Sequence, residues 1–179
     1  IAVRLSHLDG ITNRVRSAVD QDATRAGELE VPLPERTDAR LVFIGRIRTP
    51  FASRDDCPRQ GSPEGPVCRI EIDEPWRPGL VGLERYERAE VLYWMHMARR
   101  DLVQQSPKSD GRATGVFALR SPLRPNPIAT ALVEIVAVEP DSVLVRGLDC
   151  IDGTPLLDIK PDRCAYSPPA AARPGKVAI

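Results

Sequence analysis

The chain has no run of 18 apolar residues, and its first residues lack the basic-then-apolar order of a secretory signal. A bilayer-crossing helix is therefore excluded, and the expectation is a soluble, cytoplasmic protein. It has only two histidines, and none of its four cysteines (Cys57, Cys68, Cys150, Cys164) forms a C-x-x-C pair. That spacing does not suit a zinc site, so no metal is expected and the cysteines read as reduced thiols. Net charge is also missing, since Lys+Arg and Asp+Glu both count 25. Without a global field to draw in a polyanion, any contact with nucleic acid has to come from a local basic patch. The glycine-rich βαβ pattern of the common nucleotide-binding folds is absent as well.

What is present is proline: 18 of them in 179 residues, against 4% aromatics and only scattered helical periodicity. This points to short strands joined by long fixed loops. In the first 39 residues Leu8, Ile11, Val15 and Val19 recur at helical spacing, which predicts a short amphipathic helix between about 10 and 26, followed by a polar linker from Glu28 to Asp38. Leu41 to Arg48 is β-like, and Val67 to Ile72 alternates in the manner of a half-buried strand. Gly79 to Tyr86 reads as a helical turn. Glu90 to Ala98 reads as a strand with Leu92, Trp94 and His96 on the core face, which makes His96 a core histidine. Ile128 to Val138 and Ser142 to Gly147 are β-branched runs around Glu139-Pro140-Asp141, a hairpin signal.

Two stretches carry the chemistry. In Gly115 to Pro127, G-V-F-A-L-R-S-P-L-R-P-N-P, a short apolar run delivers Arg120 into a segment where three prolines fix φ and remove donors; that segment is neither helix nor central strand and presents Arg120, Arg124 and Asn126 from a stiff ribbon. On residues alone this is either a ligand-facing ribbon or a turn with solvated arginines. In Leu148 to Pro161, L-D-C-I-D-G-T-P-L-L-D-I-K-P, the Asp152-Gly153 turn sets carboxylates beside backbone N–H groups, and Asp158 and Lys160 share one side of an extended D-I-K, placed either for a structural ion pair or to orient a ligand.

Taken with F-I-G-R-I-R-T-P-F (Phe43 to Phe51), P-R-Q (Pro58 to Gln60) and V-L-Y-W-M-H (Val91 to His96), these stretches resemble the TsaA-like tRNA methyltransferases (TrmO) over about residues 41 to 168. The resemblance implies a mainly β protein, an antiparallel barrel-like sheet with a short helical N-terminal extension. Its parts would be residues 1–39 as extension and linker, 40–168 as barrel and 169–179 as tail. It implies a homodimer that binds S-adenosyl-L-methionine and methylates the exocyclic N6 of threonylcarbamoyladenosine beside the tRNA anticodon. The implied cofactor residues are Pro58, Arg59, Gln60, His96, Met97, Arg120, Thr130, Asp149, Cys150, Ile151, Asp152 and Gly153. Asp149 and Asp152 are the candidate proton acceptors, and Arg124, Asn126 and Lys160 would meet the substrate. Where the family continues with His-Gln and a long basic loop, this chain has His96-Met97 and only Ala98 to Arg112. The shortened loop and the zero net charge support an alternative, a non-catalytic S-adenosylmethionine-binding protein or a methyltransferase with another substrate.

Overall fold

The computed structural model describes residues 23–33, 39–107 and 110–163. The helix expected over about 10–26 falls largely outside these residues, as does Cys164. Within them no helix is long and apolar enough to cross a membrane.

Six antiparallel strands close into a barrel: β2 (Gly45–Arg48), β3 (Cys68–Ile72), β4 (Arg88–Trp94), β7 (Ile128–Val138), β8 (Ser142–Arg146) and β9 (Thr154–Pro161). Their order around the barrel is β2-β3-β8-β7-β4-β9, and β9 returns to β2 through the partners Gly45↔Leu156 and Ile47↔Thr154. Closure leaves no open sheet edge to be covered. The inward residues follow the period of two: Ile47; Cys68, Ile70 and Ile72; Ala89, Val91 and Tyr93; Val133; Val143 and Val145; Leu156, all buried. β-branched side chains predominate here because they suit a pleated, half-buried surface. Between β3 and β4 the chain makes two 3₁₀ turns, Glu74–Leu80 and Leu83–Arg85, whose Leu80 and Leu83 are buried with the barrel core. The β7–β8 hairpin closes with the Glu139 N–H on the Ser142 carbonyl at 2.8 Å. Arg69 and the Ser142 hydroxyl reach Glu139 there and hold its carboxyl below the usual carboxylate range, the Ser142 bond being the larger cause.

A second compact unit comprises residues 1–40 and 96–127. Its described part is a small sheet in the order β1 (Leu29–Glu30), β5 (Leu102–Gln105), β6 (Thr114–Gly115), followed by a 3₁₀ turn, Val116–Ala118. Leu29–Glu30 lies in the stretch read as linker, yet it pairs with β5 (Leu29↔Gln104). β5 itself interrupts the segment expected to run as loop from Ala98 to Arg112. Beyond β6, the segment from Leu119 to Pro127 contains neither helix nor strand, as its prolines require.

Candidate active site

The connection from β8 to β9 is tied to the chain before it. The N–H groups of Asp152 and Gly153 donate to the carbonyls of Phe51 and Ile47, both at 2.8 Å, and Thr49 Oγ1 donates to the Cys150 carbonyl at 2.9 Å. The Ile151 carbonyl accepts from Thr154 N at 3.2 Å and from Thr154 Oγ1 at 2.7 Å. Gly153 sits at φ 78°, where a side chain would be strained. The backbone N–H groups of Asp152, Gly153 and Thr154 are thus all engaged within the protein.

The two carboxylates of this turn have different jobs. Asp152 Oδ1 accepts from the Thr49 N–H at 3.1 Å, and Oδ2 pairs with Arg48 Nη1 at 3.5 Å. Arg48 also donates through Nε to Glu71 at 2.9 Å, and this bond is the main reason its pKa is raised, Asp152 adding to it. Asp152 is therefore a tie between the turn and β2. Asp149 accepts one hydrogen bond, from the Tyr93 hydroxyl to Oδ1 at 2.6 Å. The Tyr93 ring is buried in the barrel with only 2% exposure, so it delivers that hydroxyl from a fixed position. Among the described residues no other donor reaches Asp149, so Oδ2 accepts no hydrogen bond from them.

Beside the turn lies the loop with Pro58, Arg59 and Gln60, all exposed. Its start is fastened by the Ser53 N–H and hydroxyl on Asp56 Oδ2, at 2.9 and 2.8 Å. Its end is seated by Gly61: a Cβ there would lie 1.7 Å from the Gly147 carbonyl oxygen, so only glycine permits this approach. The side chains of Arg59 and Gln60 make no hydrogen bond with any described residue and face outward from an anchored loop. Burial pushes the Cys57 thiol up, and the Asp149 carboxylate adds to that shift. Burial likewise raises Cys68, and it pushes Cys150 up to about 12. These cysteines are unbridged, and Cys68 and Cys150 are buried among the core residues.

On the outer barrel wall Thr130, Leu92 and Asp158 form one cross-strand row, and Leu132, Glu90 and Lys160 the next. Lys160 is ion-paired with Asp158, as the D-I-K pattern suggested.

The second unit carries the other expected positions. β4 ends at Trp94, and its core face is Ala89, Val91 and Tyr93. The expected core face of Leu92, Trp94 and His96 is corrected: Leu92 and Trp94 are half-buried on the outer side, and His96 lies exposed beyond the strand. Met97 is 66% exposed. Arg120 and Asn126 are exposed. Arg124, expected to meet substrate, donates through Nε to the Ser121 carbonyl at 2.9 Å. Its Nη2 reaches the carbonyls of Val116 at 3.1 Å and Leu119 at 2.5 Å. Arg100 donates in the same way to the Pro125 carbonyl at 2.7 Å. Arg99 is compensated by Asp101 and Glu30, and its hydrogen bond holds the Asp101 carboxyl below the ordinary range.

Among the described residues no group of His, Cys, Asp and Glu is arranged to hold a metal ion. Fold and turn together define a small closed antiparallel barrel with a half-buried carboxylate and an anchored polar loop beside it. Comparison with known proteins names the family: the model described as the tRNA-methyltransferase O N-terminal domain matches residues 46–166, and the chain belongs to that family. It is 52% identical over 92% of its length, and 94% of the relative's, to the "Probable S-adenosyl-L-methionine-binding protein VirR" of Rhizobium radiobacter. It is 34% identical over 73% of its length to the tRNA (adenine(37)-N6)-methyltransferase of Rattus norvegicus, of which it covers 32%. Among solved structures, TrmO from Pseudomonas aeruginosa superposes with a TM-score of 0.58 at 32% identity over 79% of this chain, which spans 61% of that one.

Proposed function

We propose that this protein binds S-adenosyl-L-methionine at the Leu148–Gly153 turn and transfers its methyl group to the exocyclic N6 of a modified adenosine, threonylcarbamoyladenosine, beside the tRNA anticodon. The observation that carries the reading is the Asp149 carboxylate. Oδ1 is fixed by a buried tyrosine and Oδ2 accepts no hydrogen bond from the described residues, which suits a ligand bearing an ammonium and a sulfonium. Arg59 and Gln60 stand on the adjoining loop as a cation for the ligand carboxylate and a neutral partner for its hydroxyls. Pro58 and Gly61 stiffen and seat that loop. Cys150, Ile151 and Gly153 contribute the backbone frame, and Thr130 a hydroxyl on β7. His96, Met97 and Arg120 are proposed as cofactor contacts on the family resemblance alone, each open to separate substitution.

The bound cofactor supplies an electrophilic methyl on its sulfonium, so the protein's task is to bind and align more than to activate. An adenine exocyclic amine is a poor nucleophile because its lone pair is delocalised into the ring. A carboxylate that orients its N–H and takes the proton as the bond forms lowers that barrier. Asp149 Oδ2 is the atom we assign to this role, since both Asp152 oxygens are already engaged. The protein would act as a homodimer in the cytoplasm, with Asn126 and Lys160 toward the substrate.

The relatives named only as S-adenosylmethionine-binding proteins favour a second reading, binding without catalysis. Calorimetry with S-adenosylmethionine, followed by labelled-methyl transfer to tRNA with and without threonylcarbamoyl on the adenosine, separates the two. Incorporation into the modified tRNA alone supports the enzyme. Cofactor binding with no incorporation into either supports the second reading, and absence of cofactor binding overturns both.

A further inference from the structure

The second unit spans 72 residues and contains one aromatic side chain, Phe117. That ring is 93% exposed, more than any other large apolar side chain described. An exposed apolar residue is in itself ordinary. Here, however, its backbone is held unusually firmly. Phe117 is the middle residue of the 3₁₀ turn, and Arg124 donates to the carbonyls of Val116 on one side of it and of Leu119 and Ser121 on the other. Val116, 1% exposed, anchors the turn from beneath. One guanidinium and one buried valine thus fix a turn whose outward product is a solvent-facing ring.

The surroundings indicate which ligand chemistry suits the ring. Among its described sequence neighbours the exposed ones, Gly115, Ala118 and Arg120, are small or charged and add no large apolar surface to the ring. The segment 96–127 holds Arg99, Arg100, Lys108, Arg112, Arg120 and Arg124 against Asp101 and Asp110, a net +4 (6 − 2) in a chain whose net charge is zero. The hydrogen-bond partners of Arg124 are neutral carbonyls, and no described carboxylate pairs with it. A rigid lone ring in a locally cationic segment meets the two needs of unpaired RNA, a stacking face for a base and a field for the backbone.

We propose that Phe117 is a stacking platform for an unpaired base of the RNA substrate, and that Arg124 is the positioning residue that holds the platform. The proposal rests on the reading of this protein as one that acts on tRNA.

The test is binding of a fluorescently labelled anticodon stem-loop, measured with S-adenosylmethionine present, for the wild type, Phe117→Ala, Phe117→Trp and Arg124→Lys. Stacking of this kind predicts that Phe117→Ala weakens binding by about 5- to 100-fold, that Phe117→Trp restores it, and that cofactor affinity and the salt dependence of RNA binding stay at wild-type values. Arg124→Lys should weaken RNA binding less than Phe117→Ala and speed hydrogen exchange at 116–121, which a purely electrostatic role would not. Wild-type RNA affinity in Phe117→Ala overturns the platform while leaving the tRNA reading intact. So does a loss accompanied by a changed mass in light scattering, which would make the ring a self-association contact. No stem-loop binding by the wild type overturns platform and reading together.

Discussion

Asp149 and Asp152 stand three positions apart in one turn, and their surroundings separate them. Asp149→Asn keeps the Tyr93 hydroxyl bond but removes the charge, so it should lower S-adenosylmethionine affinity at least tenfold in calorimetry with little change in melting temperature. Asp152→Ala frees the Thr49 N–H and removes the longer of the two ion pairs of Arg48, and should cost about 1 kcal/mol of stability in urea titration, as for an exposed cap. Gly61→Val forces a side chain onto the Gly147 carbonyl, and an overpacked contact of this kind costs ~1–3 kcal/mol. We expect the Pro58–Gln60 loop to lift in response, with cofactor affinity and thermal stability lost together. None of these distinctions was legible in the sequence. Asp152's partners lie about a hundred residues away in the chain, and a glycine after P-R-Q gives no sign that another backbone presses on it. Asp149 itself was legible as a carboxylate in a turn, but not the tyrosine beneath it.

β3 was legible because its period of two is unbroken: Cys68, Ile70 and Ile72 are buried and alternate with half-buried residues over the whole strand. β4 was recognised but given the wrong inner face. Both faces of A-E-V-L-Y-W-M-H carry large apolar residues, and burial is decided by the register against β7 and β9. β1 and β5 escaped because a two-residue and a four-residue strand have too little length for a pattern, and their pairing joins segments about seventy residues apart. The proline ribbon was correctly read as irregular, but the partners of its arginine were not. Arg124 is an internal clamp, and a lysine cannot reproduce its fork of donors. Arg124→Ala should therefore destabilise the 116–127 segment by about 1.5–3 kcal/mol, read as faster amide exchange there while the barrel amides keep their protection.

For the whole molecule, the buried thiols set a limit at alkaline pH. Cys57, Cys68 and Cys150 are all raised in the folded state, Cys150 to about 12, so above pH 9 the unfolded chain releases protons that the native chain retains. Stability is thus fully present below the unfolded thiol value and falls as pH rises toward the folded one. The slope should approach ~1.4 kcal/mol per pH unit for each thiol that stays protonated. Urea midpoints at pH 8, 9 and 10 should fall progressively, and Cys150→Ala should flatten the decline. Binding of tRNA should weaken with salt along a log–log slope of roughly −2 to −4, in keeping with the modest positive excess of one segment.

The register of β4 against β7 sets Trp94 directly opposite Ile128. The excursion from residue 95 to residue 127 therefore leaves and re-enters the barrel at facing positions, and all six barrel strands lie outside it. In engineering terms, this is a cassette port. Closing a shorter loop between two already adjacent strand ends should cost little entropy. The hairpin seam of a compact β scaffold is thus the place where a different recognition segment could be spliced in without redrawing the barrel.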